Sequence, residues 1–403
     1  MRMKLVKHLT VFSILWLVCC RVVCADSLDQ WTRRDAPGFT NDLGAVAYGN
    51  GVWVALSPGG LSNTGRFSGT FIRSTNLTDW MVIDPPTTNS LFNFGFEGGL
   101  FVATANELRI LTSPEGINWA SRHFSVEASA AVNVAYGNGR FVCLVPYSKG
   151  ALLYMAALLS SDGIQWTLYT PQLRGYYNQV AFGGGRFVAA GFQESFNPAS
   201  PYQAAIATSP DGTNWTSQSF QFTPELYAVA HGNGMFVAGG DRGTILTSSD
   251  GTNWVNRTWF QINDLIVSLT YGQGHFVAVG QYNGAVLSSR DGINWARHIA
   301  ATNVLILNDV AYHDGTFVVV GSGGAILQSD PVITLDLNSG SPVELTLAGI
   351  EGRSYRIEYL DGLQLTNAWQ ELTTIVLTNS PATCTDSTSS NAVARFYRAT
   401  LLP

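Results

Sequence analysis

Any chemistry in this 403-residue chain must come from a thin scatter of polar groups, because only 12% of its residues are Asp, Glu, Lys or Arg. That is about half the usual share of a soluble domain. The carboxylates that fall in connecting segments are Asp42, Glu194, Glu225, Asp241, Asp264 and Asp309, and the arginines nearest them are Arg66 and Arg242. Two carboxylates flanking one bond suit glycoside hydrolysis, one as acid and the other as nucleophile or base. The sequence alone does not pair them. His-Glu-x-x-His, Gly-x-Ser-x-Gly and phosphate-loop patterns are missing, and His123, His231, His275, His298 and His313 lack ligand-like spacing. No metal or cofactor is therefore expected, and no catalytic set is assigned.

Binding is the other chemistry on offer. Tyr147 and Lys149, Tyr176 and Tyr177, Glu194 and Phe196, Asp241 and Arg242, Tyr282, and Arg66 at the end of a Gly/Ser/Asn-rich stretch place rings beside amides and a few charges. Such mixtures suit a glycan or an extended peptide. The bland alternative is a set of solvated loops that contain aromatics.

The elements that carry these residues repeat. One phrase, Tyr271-Gly-Gln-Gly-His-Phe276 through Asp291-Gly-Ile-Asn-Trp295, recurs with opening aromatics at Tyr48, Phe96, Tyr136, Phe182, His231, Tyr271 and Tyr312. Closing tryptophans stand at Trp31, Trp80, Trp119, Trp166, Trp215, Trp254 and Trp295, so openings and closings match in number but are shifted by one. Each unit reads as four short apolar strands joined by turns of hairpin chemistry, and four strands per ~40 residues is a propeller blade. The expectation is an all-β fold: a seven-bladed β-propeller over 26–330, closed by Ser27–Trp31 as the missing outer strand, and a small β-sandwich-like domain over 331–403. Three residues before the opening aromatics come Asn93, Asn133, Gln179, Ser268 and Asp309, which are expected to line the central channel, with water as its ordinary filling. From second-strand aromatic to closing turn, blades two, five and six take 14, 14 and 15 residues, while blades one, three and four take 23, 21 and 24. The extra length lies at the link between second and third strands, which marks that face as the binding side.

The closing turns read Ser160-Ser-Asp162-Gly-Ile-Gln-Trp166, Ser209-Pro-Asp211-Gly-Thr-Asn-Trp215, Ser248-Ser-Asp250-Gly-Thr-Asn-Trp254 and, through Ser288-Ser-Arg, Asp291-Gly-Ile-Asn-Trp295. They resemble the Asp-box (BNR) repeat of sialidase-like propellers, a group that includes bacterial sialidases, glycan-processing and glycan-binding propellers and photosystem II assembly factors. The resemblance covers about 27–329, is one residue tighter than the usual box, and has Asn76 and Glu115 in place of aspartate in two copies. It implies architecture: the aspartates hold the turn and the tryptophans fill the seams between blades. A sialidase-like enzyme would also need an arginine cluster and an Arg-Ile-Pro element, and the nearest text is Phe71-Ile-Arg-Ser74.

Two segments lie outside the repeat. Arg2, Lys4 and Lys7 precede an apolar run from Leu9 to Cys20 and small residues before Asp26, so 1–25 reads as a secretory signal peptide, too short for a membrane span. Leu17–Cys20 loosely resembles a lipobox, which leaves a lipid-anchored form as the alternative. Those residues carry four basic and no acidic side chains, so cleavage leaves 18 basic against 28 acidic residues, a net of −10. Nucleic acid is thereby disfavoured as a partner. Beyond the repeat, Tyr355-Arg-Ile-Glu-Tyr359, Trp369, Asp386 and Arg395-Phe-Tyr-Arg-Ala resemble a C-terminal module of secreted bacterial proteins, an attachment accessory or a stabilising cap. The sequence thus points to a secreted, periplasmic or cell-surface monomer that binds a glycan or protein without catalysis. The alternatives are a glycan-cleaving enzyme and an extracytoplasmic assembly factor.

Overall fold

The computed structural model describes residues 27–61, 67–84, 90–124, 133–149, 152–197, 200–221, 223–258, 265–281, 284–300, 306–338, 342–361, 368–388 and 395–402. The signal segment 1–25, Arg66, Asp264 and Tyr282 lie outside the described residues, as do the side chains of Lys149 and Phe196. The chain divides into two compact units, one of them Trp31–Ser329. The protein is all-β.

Within Trp31–Ser329 the described strands form seven four-stranded antiparallel sheets. Sheets one to six are meanders in chain order, spanning 45–83, 91–123, 134–174, 176–220, 226–256 and 266–299. Sheet seven is composite. Leu307–His313, Thr316–Gly321 and Ile326–Ser329 are completed by Trp31–Arg33, with Trp31 opposite Ser329 and Arg33 opposite Leu327. The completing strand therefore begins at Trp31 rather than ending there: Ser27–Asp29 is a 3-10 turn, a correction to the expected Ser27–Trp31 strand. The first turn of each sheet explains the recurrent Asn-Gly and Gly-Gly pairs. Asn233 and Gly234 have φ of 48° and 70°, both positive, as a two-residue hairpin with the right twist requires.

Cores lie between sheets. Val54 and Phe71 of sheet one pack with Phe94, Phe101 and Trp119 of sheet two, and Val318 and Val320 of sheet seven pack with Val46, Trp53 and Ile72 of sheet one. Middle strands are buried on both faces, which is why they read as continuous apolar runs with so little charge. Innermost strands touch in succession around the unit, and Leu307–His313 touches Ala45–Gly49.

The second unit holds two three-stranded sheets: Thr334–Asn338, Val343–Ala348 and Ala382–Asp386, and Gln370–Val376, Ser354–Asp361 and Arg395–Leu401. The strands Gln370–Val376 and Ala382–Asp386 were not foreseen. Leu345, Leu347, Tyr355, Ile357 and Leu377 form the core between the sheets. Arg395 binds buried Asp386 at 2.7 Å and Asp361 at 2.7 Å and lies over the Tyr359 ring at 4.0 Å, while Tyr397 donates to Asp386 at 2.8 Å. The residues that gave this tail its resemblance are thus occupied in holding it together.

Candidate functional site

At one end of each sheet the third and fourth strands are joined by the box turn. Asp162 Oδ1 accepts the Ile164 and Gln165 amides at 2.7 and 2.8 Å, and Asp211 those of Thr213 and Asn214 at 2.8 and 2.9 Å. Asp250 and Asp291 repeat the pattern. The amides hold all four carboxyls below the usual range. Partial burial opposes ionisation at Asp211 and Asp291, and the hydrogen bonds outweigh it, bringing Asp291 down to about 2. The tryptophans close each turn: the Nε1–H of Trp166, Trp215, Trp254 and Trp295 donates to the box glycine carbonyl at 2.7–3.1 Å. Each ring enters the seam with the preceding sheet. Asn76 reproduces the aspartate's bonds, accepting the Thr78 and Asp79 amides. Sheet two differs, because Trp119 stacks on Phe71 at 4.1 Å and its Nε1–H is buried without an acceptor.

The seven innermost strands enclose a central channel of about 360 Å³, bordered by Asn133, Gln179, Ser268 and Asp309 among others. Asn93 faces a separate water-sized cavity with Glu97 and Thr104. These polar residues bind neighbouring sheets. Gln179 accepts the Val229 N–H at 2.8 Å, and Asp309 accepts the Val46 N–H at 2.8 Å and the Ser268 hydroxyl at 2.5 Å. Asn133 donates to Asn93 at 3.1 Å. Burial pushes Asp309 up to about 6 despite these bonds. One residue earlier, Asn178 and Asn308 donate to the Leu226 and Leu43 carbonyls of the next sheet at 2.7 and 2.8 Å. Both occupy a register irregularity in the inner strand, which frees their side chains to reach across. Reading the repeat one position further back would have found them.

One residue after the opening aromatic, sheets one, three, four, five and six carry glycine. A Cβ on Gly232 would lie 2.0 Å from the Tyr271 ring, and Gly49, Gly137, Gly183 and Gly272 meet the same obstacle. The rule breaks twice. Sheet seven has His313, which stacks on Tyr48 at 3.4 Å. Sheet two has Glu97, which borders the channel, and burial pushes it up to about 7 against the opposing pull of the Tyr136 backbone. The sequence reading passed over Glu97.

The opposite end carries the insertions. Arg140–Lys149 with Leu152–Ser160, and Arg186–Asn197 with Ser200–Ser209, are long hairpins on adjacent sheets. Tyr147 stacks on its cross-strand partner Tyr154 at 5.9 Å, Tyr176 on Phe192 at 5.5 Å, and Phe192 meets the exposed Tyr202 edge-on at 5.0 Å. Glu194 is bound by Arg174 at 2.9 Å, and exposed Arg242, at φ 53°, lies 3.4 Å from Asp241. Tyr177 must be corrected: it is fully buried among Ala189, Ala205 and Phe187, so it serves packing and not ligand contact. Arginine lines neither cavity. His231 packs on Phe236 at 4.5 Å, and His298 meets Ser288 at 2.7 Å.

No family model matches the sequence, and no curated protein does. Solved structures match its fold. YCF48 bound to a D1 peptide is 16% identical with a TM-score of 0.54, covering 74% of this chain and 94% of that one. Virginiamycin B lyase from Staphylococcus aureus gives 11% and 0.60 over 74% and 98%, and the WD40 propeller domain of Doa1 gives 12% and 0.53 over 74% and 97%. At these identities the likeness speaks for fold alone. The larger part of the chain is therefore a β-propeller.

Proposed function

We propose that this chain is an exported, non-catalytic, seven-bladed Asp-box propeller that binds a carbohydrate or protein partner through the loop face of blades one, three and four. The observation that carries the reading is the pair of long adjacent hairpins, whose stacked rings Tyr147–Tyr154 and Tyr176–Phe192–Tyr202 extend apolar surface beside the Arg174–Glu194 pair. Rings in that setting give contact area at low entropic cost. Ring closure by Trp31–Arg33 is supported by its pairing with Ile326–Ser329. Export rests on residues 1–25 alone, and the monomeric state on the sequence reading. A binder is favoured over a hydrolase because Arg174 and Arg242 are each held by a carboxylate of their own. Among the structural neighbours, YCF48 was solved with a bound peptide, which supports a peptide-binding reading of the fold.

The test is to screen purified protein against glycan, cell-wall and peptide panels and against fluorogenic glycosides. Saturable binding that is lost when 57–66 is trimmed or Tyr202→Ala is introduced supports the reading. Glycoside turnover abolished by Glu194→Gln would replace it with the hydrolase, and stable co-purification with one protein without glycan affinity would select the assembly factor.

A further inference from the structure

We propose that the central channel is a binding site for a linear polyamine, held by Glu97 at one level and Asp309 at the other. At about 360 Å³ the channel is within the size range of small-molecule sites. Its two ionisable acids are Glu97 and Asp309, and neither lysine nor arginine is among its lining residues. The only imidazole there, His231, is pushed down by burial and is neutral above its ordinary range. Above pH 7 both carboxyls are ionised, and the wall then presents two half-buried negative charges without a protein counter-ion, which is costly unless they are paired.

Glu97 stands where five other sheets carry a glycine that the next ring demands. In sheet two that ring, Tyr136, lies instead against Gly98, leaving room for the longer side chain. The Glu97 carboxylate has two acceptor oxygens, which border the channel. Asp309 is fixed by Ser268, Val46 and Val310, so it is an anchored acceptor and not a mobile one.

The two carboxylates differ in height. Asp309 is three residues before its aromatic, Tyr312, and Glu97 one residue after Phe96. Four residues of strand separate the two levels by about 13 Å along the channel. A single ammonium would satisfy one level. An extended chain with ammonium groups at both ends satisfies both, with its methylenes spanning the channel between the two levels.

The probe is spermidine, titrated calorimetrically into the full chain at pH 8, with 1,8-octanediol as its uncharged counterpart. One saturable site for spermidine and none for the diol is expected. Glu97→Gln, which keeps the side chain's size and removes its charge, and Asp309→Asn should each weaken it about tenfold or more. Glu371→Gln, a half-exposed carboxylate of the C-terminal unit, should leave it unchanged. The proposal is overturned if spermidine fails to saturate, if the diol binds equally, or if Glu371→Gln weakens binding as much as Glu97→Gln does, which would mean diffuse attraction to an acidic surface. Should either channel variant fail to fold, the spermidine and diol titrations of the unaltered protein still decide.

Discussion

The Asp309 carboxylate accepts the Val46 N–H at 2.8 Å, a bond between residues 263 positions apart that joins the last sheet of the repeat to the first. The same carboxylate takes the Ser268 hydroxyl, whose oxygen also accepts the Val310 N–H at 3.3 Å, so one half-buried acid couples sheets six, seven and one. Each link replaces water at a backbone amide that the seam would otherwise leave unsatisfied.

Asp309 and Glu97 set a pH dependence of stability. Their carboxyls are raised from about 4 to about 6 and about 7 by burial, so the folded chain holds protons that the unfolded chain has already released. Their contribution is full at low pH and is lost as pH rises through 6 and 7. Melting temperature should fall between pH 5 and 8, and Glu97→Gln with Asp309→Asn should flatten that slope. An unchanged slope in the double variant contradicts the assignment.

The box aspartates act in the opposite direction. Their lowered carboxyls stabilise the fold in full above the ordinary aspartate range, and that contribution shrinks progressively as pH falls from there through the lowered folded values. Asp211→Ala should cost about 1 kcal/mol at pH 7, the net value of local side-chain-to-amide bonds, and measurably less at pH 2, where the unfolded carboxyl is protonated and the charge contributes less. Denaturant melts at both pH values measure this. Equal losses at the two would show that the carboxylate's charge is irrelevant to the turn.

Two glycines separate close packing from spare room. Gly232→Ala drives a methyl into the Tyr271 ring and should destabilise by about 1–3 kcal/mol or more. Gly95 has extended backbone and nothing within 4 Å of its Cβ direction, beside the water-sized cavity. Gly95→Ala should be neutral or stabilising by up to about 1 kcal/mol. Thermal melts that rank the two variants the other way would refute the seam geometry.

The architecture was legible because it is periodic. Opening aromatics, box turns and one-sided insertions recur at fixed offsets, so a single sequence supplied its own comparison, as Asp211 and Trp215 repeat Asp162 and Trp166. The site was far less legible. Tyr177 looked like its half-buried neighbour Tyr176, but strand alternation sends successive side chains to opposite faces, and an inserted register shift decides which face is covered. Glu97 escaped notice because its meaning lies in breaking a glycine rule whose cause, the ring of the next sheet, is visible only in three dimensions. Asp309 borders the channel, but its bond to the Val46 N–H of the next sheet has no signature in the sequence.

The outer strand of sheet seven offers a further test. Removing 26–34 takes away Trp31–Arg33 and the Arg34 bond to the Ile326 carbonyl at 2.8 Å, exposing the edge of Ile326–Ser329. The truncated chain should aggregate or melt well below the parent, since an uncovered edge templates pairing with other chains. Light scattering and a thermal melt that match the parent would remove the strand from the ring.

The most direct test of the central claim is hydrogen exchange on the chain alone and on the chain saturated with its strongest binder from the glycan and peptide panels. Protection confined to the second-to-third-strand segments 52–74, 140–160 and 186–209 is the predicted result, with the box turns at 162–166, 211–215 and 250–254 exchanging as before. Protection at the box turns, or none at the hairpins, would contradict it.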